Sequence, residues 1–233
     1  GRFDFRRTLL YFKSGDYLNI VCVSVGRDFP PLIDLLRDLV GIVVVVGGQT
    51  LNALPNNPYA TASQLLIAYL YQYYNANPRQ ARLLTSNNLA VPARLFREMG
   101  GFDEHFGLAA GEDREFCDRW IHQGHPLIYA PEAIVEHAHA LSWGSFWRQH
   151  ANYGRAAFAF HAARASRSGE KIRLEPWRFY ADLLFYPVRE LGVGRGWRLI
   201  LLMGATQIAN GLGFYRASRR SAHEGGAKLC KTQ

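Results

Sequence analysis

Six carboxylates, Asp103, Glu104, Glu112, Asp113, Glu115 and Asp118, fall within 16 positions of a chain whose formal net charge is +8. They follow a double glycine, Gly100-Gly101, in the stretch GGFDEHFGLAAGEDREFCDRW. A carboxylate serves as a general base when a substrate hydroxyl comes within hydrogen-bond reach. Adjacent glycines let the backbone approach a ligand closely. Acids in a first helical turn also satisfy free N–H groups and the helix dipole, which accounts for one or two of the six. Phe116, Cys117, Trp120 and Ile121 recur at helical spacing, so a helix is expected over about 111–123, with Glu112 and Asp113 at its start. Asp103 and Glu104 then belong to the turn before it. Glu115 and Asp118 are expected on its solvated side.

A second pair is His137 and His139, in AIVEHAH. The two-residue period of a strand puts Val135, His137 and His139 on one face. Two imidazoles can bind a metal, but most strand histidines are structural. Further ligands would have to be Asp or Glu from elsewhere.

These groups need elements to hold them. The runs 18–25 (LNIVCVSV) and 42–46 (IVVVV) read as buried strands, with Gly47-Gly48 ending the second. Between them PPLIDLLRDLV has leucines at helical spacing, so a βαβ unit and a parallel sheet are expected. Residues 49–60 are rich in turn formers, and 61–75 read as a buried helix. A short helix over 92–99 starts at Pro92 and stops before Gly100. Strands are expected at 127–130 and 133–139, and a long aromatic-rich helix over about 145–165.

Apolar content of 48% and 13% aromatics mark a globular chain. Cys22, Cys117 and Cys230 lie far apart and suggest neither a disulfide framework nor a zinc site, so a reducing compartment is expected. The chain begins at Gly1 rather than Met, which fits a fragment or a processed form. The charge is uneven. Residues 1–141 carry 12 Lys/Arg against 14 Asp/Glu, and residues 142–233 carry 15 against 5. The basic last third points to an anionic partner or to a solvated basic tail. Residues 197–215 (WRLILLMGATQIANGLGFY) are about the length of a membrane span, but Arg198, Gln207, Asn210 and three glycines interrupt them. An apolar stripe followed by Arg216, Arg219 and Arg220 suits an interfacial helix on anionic lipid, or else a helix packed in the globule. Those arginines are dispersed and match no groove-reading motif, so nucleic acid is not expected as a partner.

The stretch from Thr85 to about His161 resembles the C-terminal, acceptor-side half of GT-A glycosyltransferases, specifically glycosyltransferase family 2. The resemblance rests on TSNNLAVPARLFREMGGFDEHF, AAGEDREFCDRW, PLIYAPEAIVEHAH and SFWRQHANYGR, in that order, and reaches back to about Gly47. It implies an α/β fold: a GT-A-like mixed sheet flanked by helices, with a partial Rossmann-like nucleotide half and a C-terminal helical extension. The expected organisation is a diverged or incomplete nucleotide-side segment over 1–46, a catalytic and acceptor half over 47–166, and a basic amphipathic helical tail over 167–233. By the same match Asp113 would be the base and Glu112 its neighbour in the site. Gly100, Gly101 and Asp103 would form the turn along the donor sugar. Asn87 and Asn88 would be the polar pair on the strand entering the site. His137 would be a ligand of a divalent cation, Mg²⁺ or Mn²⁺, on the diphosphate.

The activity so implied is transfer of a sugar, with inversion, from a nucleotide-sugar donor to a lipid-linked or polysaccharide hydroxyl, at the inner face of the cell membrane. The developing charge on the leaving diphosphate needs a cation or basic groups. The family's Asp-x-Asp metal motif occurs nowhere in this chain. The donor half is therefore missing or diverged. A GT-A relic serving as a binding module remains the alternative reading.

Overall fold

The structure is a computed structural model that describes residues 9–14, 17–22, 44–106, 110–169 and 175–229. Five strands form one mixed sheet: β1 (Leu9–Ser14), β2 (Tyr17–Cys22), β3 (Val45–Asn52), β4 (Leu89–Pro92) and β5 (Leu127–His137). The helices are α1 (Pro58–Tyr74), α2 (Ala93–Glu98), α3 (Glu112–His122), α4 (Trp143–Ser168) and α5 (Trp177–Leu229). The chain divides into two compact units. A sheet unit comprises Gly1–Asn56, Ile67–Asp103 and Asp113–Ala140. A helical unit comprises Asn57–Leu66, Glu104–Glu112 and Leu141–Gln233.

The strand order is β1-β2-β4-β3-β5. Among the described strands β3 and β5 pair parallel, and the other neighbours pair antiparallel. β2 and β3 are both antiparallel to β4, which lies between them, so the two expected strands run parallel to each other without being neighbours. The expected helix in 30–40 lies outside the described residues, as do 23–25 of the first expected strand. The β1–β2 hairpin adds a strand to the expected elements, and in the sequence Gly15-Asp16 separates its two runs as a turn pair would.

Alternation along β3 and β4 builds two apolar layers. Val45, Leu89 and Val91 join Tyr71, Leu84, Phe116, Trp120 and Leu127 on one side. Val44, Val46 and Ala90 join Ala130 and Ala133 on the other. A strand buried on both faces reads as an apolar run, as at Val45 and Val46 where β3 begins; 42–43 of the expected strand lie outside the described residues. Gly47-Gly48 do not end it but lie inside β3, which continues to Asn52.

The sequence 127–139 forms one strand rather than two, ending at His137, so His139 lies beyond it. Its irregularity is a register jump, from Gly48↔Ala130 to Gln49↔Ile134. Close approach explains the glycine here. A Cβ on Gly48 would stand 2.0 Å from the Ala133 carbonyl oxygen and 2.4 Å from Asn88 Nδ2. No side chain fits that space.

In the helical unit Asn57 caps α1, accepting from the Ala60 N–H at 2.9 Å, with Pro58 at the first helical position. Ser142 and Ser145 form a capping box on α4, and Gly169 closes it in the left-handed conformation. Helix α5 breaks at Gly192, whose φ of 73° and ψ of 168° are non-helical. Beyond the break, a Cβ on Gly196 would come within 2.5 Å of the Pro187 carbonyl oxygen. The two arms of α5 therefore touch backbone to backbone. The second arm meets α4 in the same way. Added Cβ atoms on Gly154 and Gly213 would stand 1.9 Å from Asn210 O and 2.0 Å from Ala151 O. Ala62, Leu141, Phe146 and Leu199 make this unit's core.

Candidate active site

Asp113 is the second residue of α3 and is half-buried. Its Oδ2 accepts the Ser86 backbone N–H at 3.3 Å, and its Oδ1 accepts the Arg114 N–H at 2.7 Å. The carboxylate is thus tied to a segment 27 residues earlier in the chain. That segment is itself anchored. Buried Asn75 accepts from the Arg82 and Leu83 N–H groups and donates to the Leu83 carbonyl, at 2.9, 3.1 and 2.7 Å. It stands in for a neighbouring strand.

Residues 85–88 then carry a hydrogen-bonded chain whose direction can be assigned. The Thr85 N–H donates to the Tyr71 hydroxyl oxygen at 2.7 Å. Thr85 Oγ1 donates to Asn87 Oδ1 at 2.5 Å, which uses its single proton. Tyr71 OH must therefore donate to Thr85 Oγ1, 2.9 Å away. Thr50 Oγ1 donates to the same Asn87 Oδ1 at 3.1 Å. With that oxygen engaged twice, Asn87 keeps its NH₂ as the group for donating to a ligand oxygen. Burial pushes the Tyr71 hydroxyl well above its ordinary value, which keeps it a donor. Burial likewise raises the Cys117 thiol, which donates to the Leu84 carbonyl at 3.5 Å.

Asn88 has a different role. Its Nδ2 donates to the Gln49 and Ala133 carbonyls at 3.0 and 2.8 Å, satisfying backbone left over by the β3–β5 register jump. Gly100 and Gly101, with φ of 80° and 68°, terminate α2. Their N–H groups donate to Arg97 O and Phe96 O. Arg119 in turn donates to the Met99 and Gly101 carbonyls, so α3 grips this turn. Arg119 is held by Glu115 at 3.0 Å. Glu115 is only 2% exposed, which corrects its expected place on the solvated side. Its burial follows from sharing a helix face with Arg119, four residues on. Asp103 follows the turn, half-buried.

Glu112, the first residue of α3, falls in the helical unit. His137 ends β5 in register with Asn52, its ring centroid 5.4 Å from that of His139. Among the described residues no three His, Cys, Asp or Glu side chains group to hold a metal ion. The described side chains therefore do not make up the donor set expected for Mg²⁺ or Mn²⁺.

No family model matches the sequence, and no curated protein does. Among solved structures the chain is similar to the mannosyltransferase PcManGT from Pyrobaculum calidifontis, in complex with GDP-Man and Mn²⁺. Identity is 16% over 86% of this chain and 49% of that one, with a TM-score of 0.39. The chain thus spans about half the length of that protein. So loose a likeness carries neither fold detail nor activity across.

The residues that sequence reading missed are Tyr71, Thr50, Thr85 and the Glu115–Arg119 pair. The last had a visible signal, opposite charges four apart on one helix. Tyr71 and Thr50 did not, because their partners Thr85 and Asn87 lie 14 and 37 residues along the chain.

Proposed function

We propose that the chain is a GT-A-type glycosyltransferase that moves a sugar from a nucleotide-sugar donor to a hydroxyl of a glycan or lipid-linked acceptor. The observation that carries this reading is Asp113, a half-buried carboxylate oriented by two backbone N–H groups beside an amide whose NH₂ is left to donate. The motif series from Thr85 onward supports it. In this scheme the acceptor oxygen attacks the anomeric carbon as the bond to the diphosphate breaks. The hydroxyl proton passes to Asp113. The nucleoside diphosphate leaves with the bonding electrons, and configuration inverts. Asn87 orients a donor or acceptor hydroxyl. The Arg119 clamp fixes the Gly100-Gly101 turn relative to α3.

The test is a transfer assay with labelled nucleotide sugars and a panel of polyprenyl-phosphate and oligosaccharide acceptors. Labelled product with stoichiometric release of nucleoside diphosphate is expected. No transfer from any donor, with no donor binding, would overturn the reading.

The second reading, a GT-A-like module that binds without catalysing, is favoured by one sequence fact, the missing Asp-x-Asp. Calorimetric titration with nucleoside diphosphates separates the two. Tight binding that strengthens with Mn²⁺ argues against the module.

A further inference from the structure

The second arm of α5 carries two apolar faces, where a helix packed in a globule needs one. The inner face holds Leu199, Met203, Thr206 and Ala209, all buried, with Gly213 pressed on Ala151. At 100° per residue the opposite side carries Trp197, Leu201, Ile208, Leu212 and Tyr215. They fall within an arc of about 60°. Their exposures are 51%, 71%, 60%, 40% and 60%, high for large apolar groups. The stripe runs about 27 Å along the helix at 1.5 Å per residue.

Charge identifies what covers it. Residues 191–223 contain Arg195, Arg198, Arg216, Arg219 and Arg220 and no Asp or Glu. All five arginines are exposed, two at one end of the stripe and three at the other. Trp197 carries the Arg198 guanidinium at 5.7 Å from its ring centroid. A second copy of this face is a poor partner, because either alignment of the two stripes sets arginine against arginine. An anionic bilayer surface matches both parts, with an apolar boundary beneath a layer of phosphates. Among the described residues no helix is long and apolar enough to cross a membrane.

We propose that this face of α5 seats in the plane of an anionic phospholipid surface. Trp197, Leu201, Ile208, Leu212 and Tyr215 enter the headgroup–acyl boundary, and the arginines at both ends take lipid phosphates. The inference stands apart from the transferase reading, since its readout is binding and not transfer.

The experiment is flotation of the full chain with vesicles of phosphatidylcholine alone and of phosphatidylcholine mixed with phosphatidylglycerol. Binding is expected to the mixed vesicles, with a blue shift of tryptophan fluorescence that Trp197→Phe diminishes. Replacing Arg216, Arg219 and Arg220 together by Gln should weaken it about 100-fold. Replacing Leu201, Ile208 and Leu212 by Ser should weaken it by at least about tenfold. Both variants change exposed positions, and unaltered circular dichroism and melting would verify their fold. Equal affinity for neutral and anionic vesicles, or full binding by both variants, would overturn the proposal. So would a dimer in light scattering that the Ser variant dissociates, with no vesicle binding; that result would assign the stripe to a second copy.

Discussion

In the sheet unit Gly48 makes room for a carbonyl oxygen and a side-chain amide, whereas in the helical unit Gly154 and Gly213 make room for the backbone of another helix and Gly196 for the other arm of its own. The first kind of approach creates unpaired backbone groups, and a polar side chain must satisfy them. Asn88 does so for Gln49 and Ala133. The second leaves the helical hydrogen bonds intact and needs no polar partner. The difference bears on where chemistry can sit. Irregular backbone around β3 recruits Asn88 to itself, next to the loop that orients Asn87 and Asp113. Regular helices packed through glycine leave a long outer face free for a surface.

Substitutions can break this comparison, beginning with the glycines. Gly48→Ala forces a Cβ onto the Ala133 backbone carbonyl and against the Asn88 amide, and should cost about 3 kcal/mol or more in denaturant unfolding. It should also abolish transfer, because the β3–β5 bulge and Asn88 cannot both keep their places. Gly213→Ala meets a backbone oxygen at the same distance and should cost a similar amount. It should leave the alkaline behaviour of the sheet unit, described below, unchanged.

Asn88→Ala comes next. It leaves two carbonyls without their donor, and a loss of about 2–3 kcal/mol is expected in the same unfolding measurement. A loss below that of an exposed substitution would mean that the bulge does not depend on the amide.

Alkaline pH sharpens the comparison, since Tyr71 and Cys117 both lie in the sheet unit. Folding raises both groups above their ordinary values of 10.0 and 9.0. The protonated forms are the ones the fold favours. Their contribution is therefore complete below about pH 9 and is lost as pH rises past 9 and then 10, where the unfolded chain gives up protons that the folded chain keeps. Stability measured from pH 8 to 11 should fall accordingly. Tyr71→Phe should flatten the part above pH 10 while costing about 1 kcal/mol at neutral pH, because the Thr85 N–H loses its acceptor. At the small end, Arg94→Ala removes an ion pair with Glu98 that lies in solvent, and no measurable change in Tm is expected.

What the sequence displayed was mostly local. The start of α3 at Glu112, the stop of α2 at Gly100 and the apolar run of β3 depend on neighbours within a turn or two. Where partners are distant, the reading failed. Gly47-Gly48 looks like the end of a strand because glycine weakens strands locally. Only the Ala133 carbonyl, contributed by β5, makes glycine obligatory at 48. Glu115 looks solvated because it is charged. Only the distant carbonyls of Met99 and Gly101, which Arg119 reaches, explain its burial. Asn87 is visible as a polar residue in TSNN. Its orientation is not, because Thr50 lies 37 residues away and binds it across the sheet.

The central claim is that Asp113 takes the acceptor's proton, and kcat for sugar transfer by Asp113→Asn tests it most directly. The asparagine keeps an oxygen for the Ser86 N–H and gives up only the bond from its neighbour, the Arg114 N–H, so the loop and donor affinity should be retained while kcat falls by about 10² to 10⁴. Transfer at the wild-type rate by this variant would contradict the account.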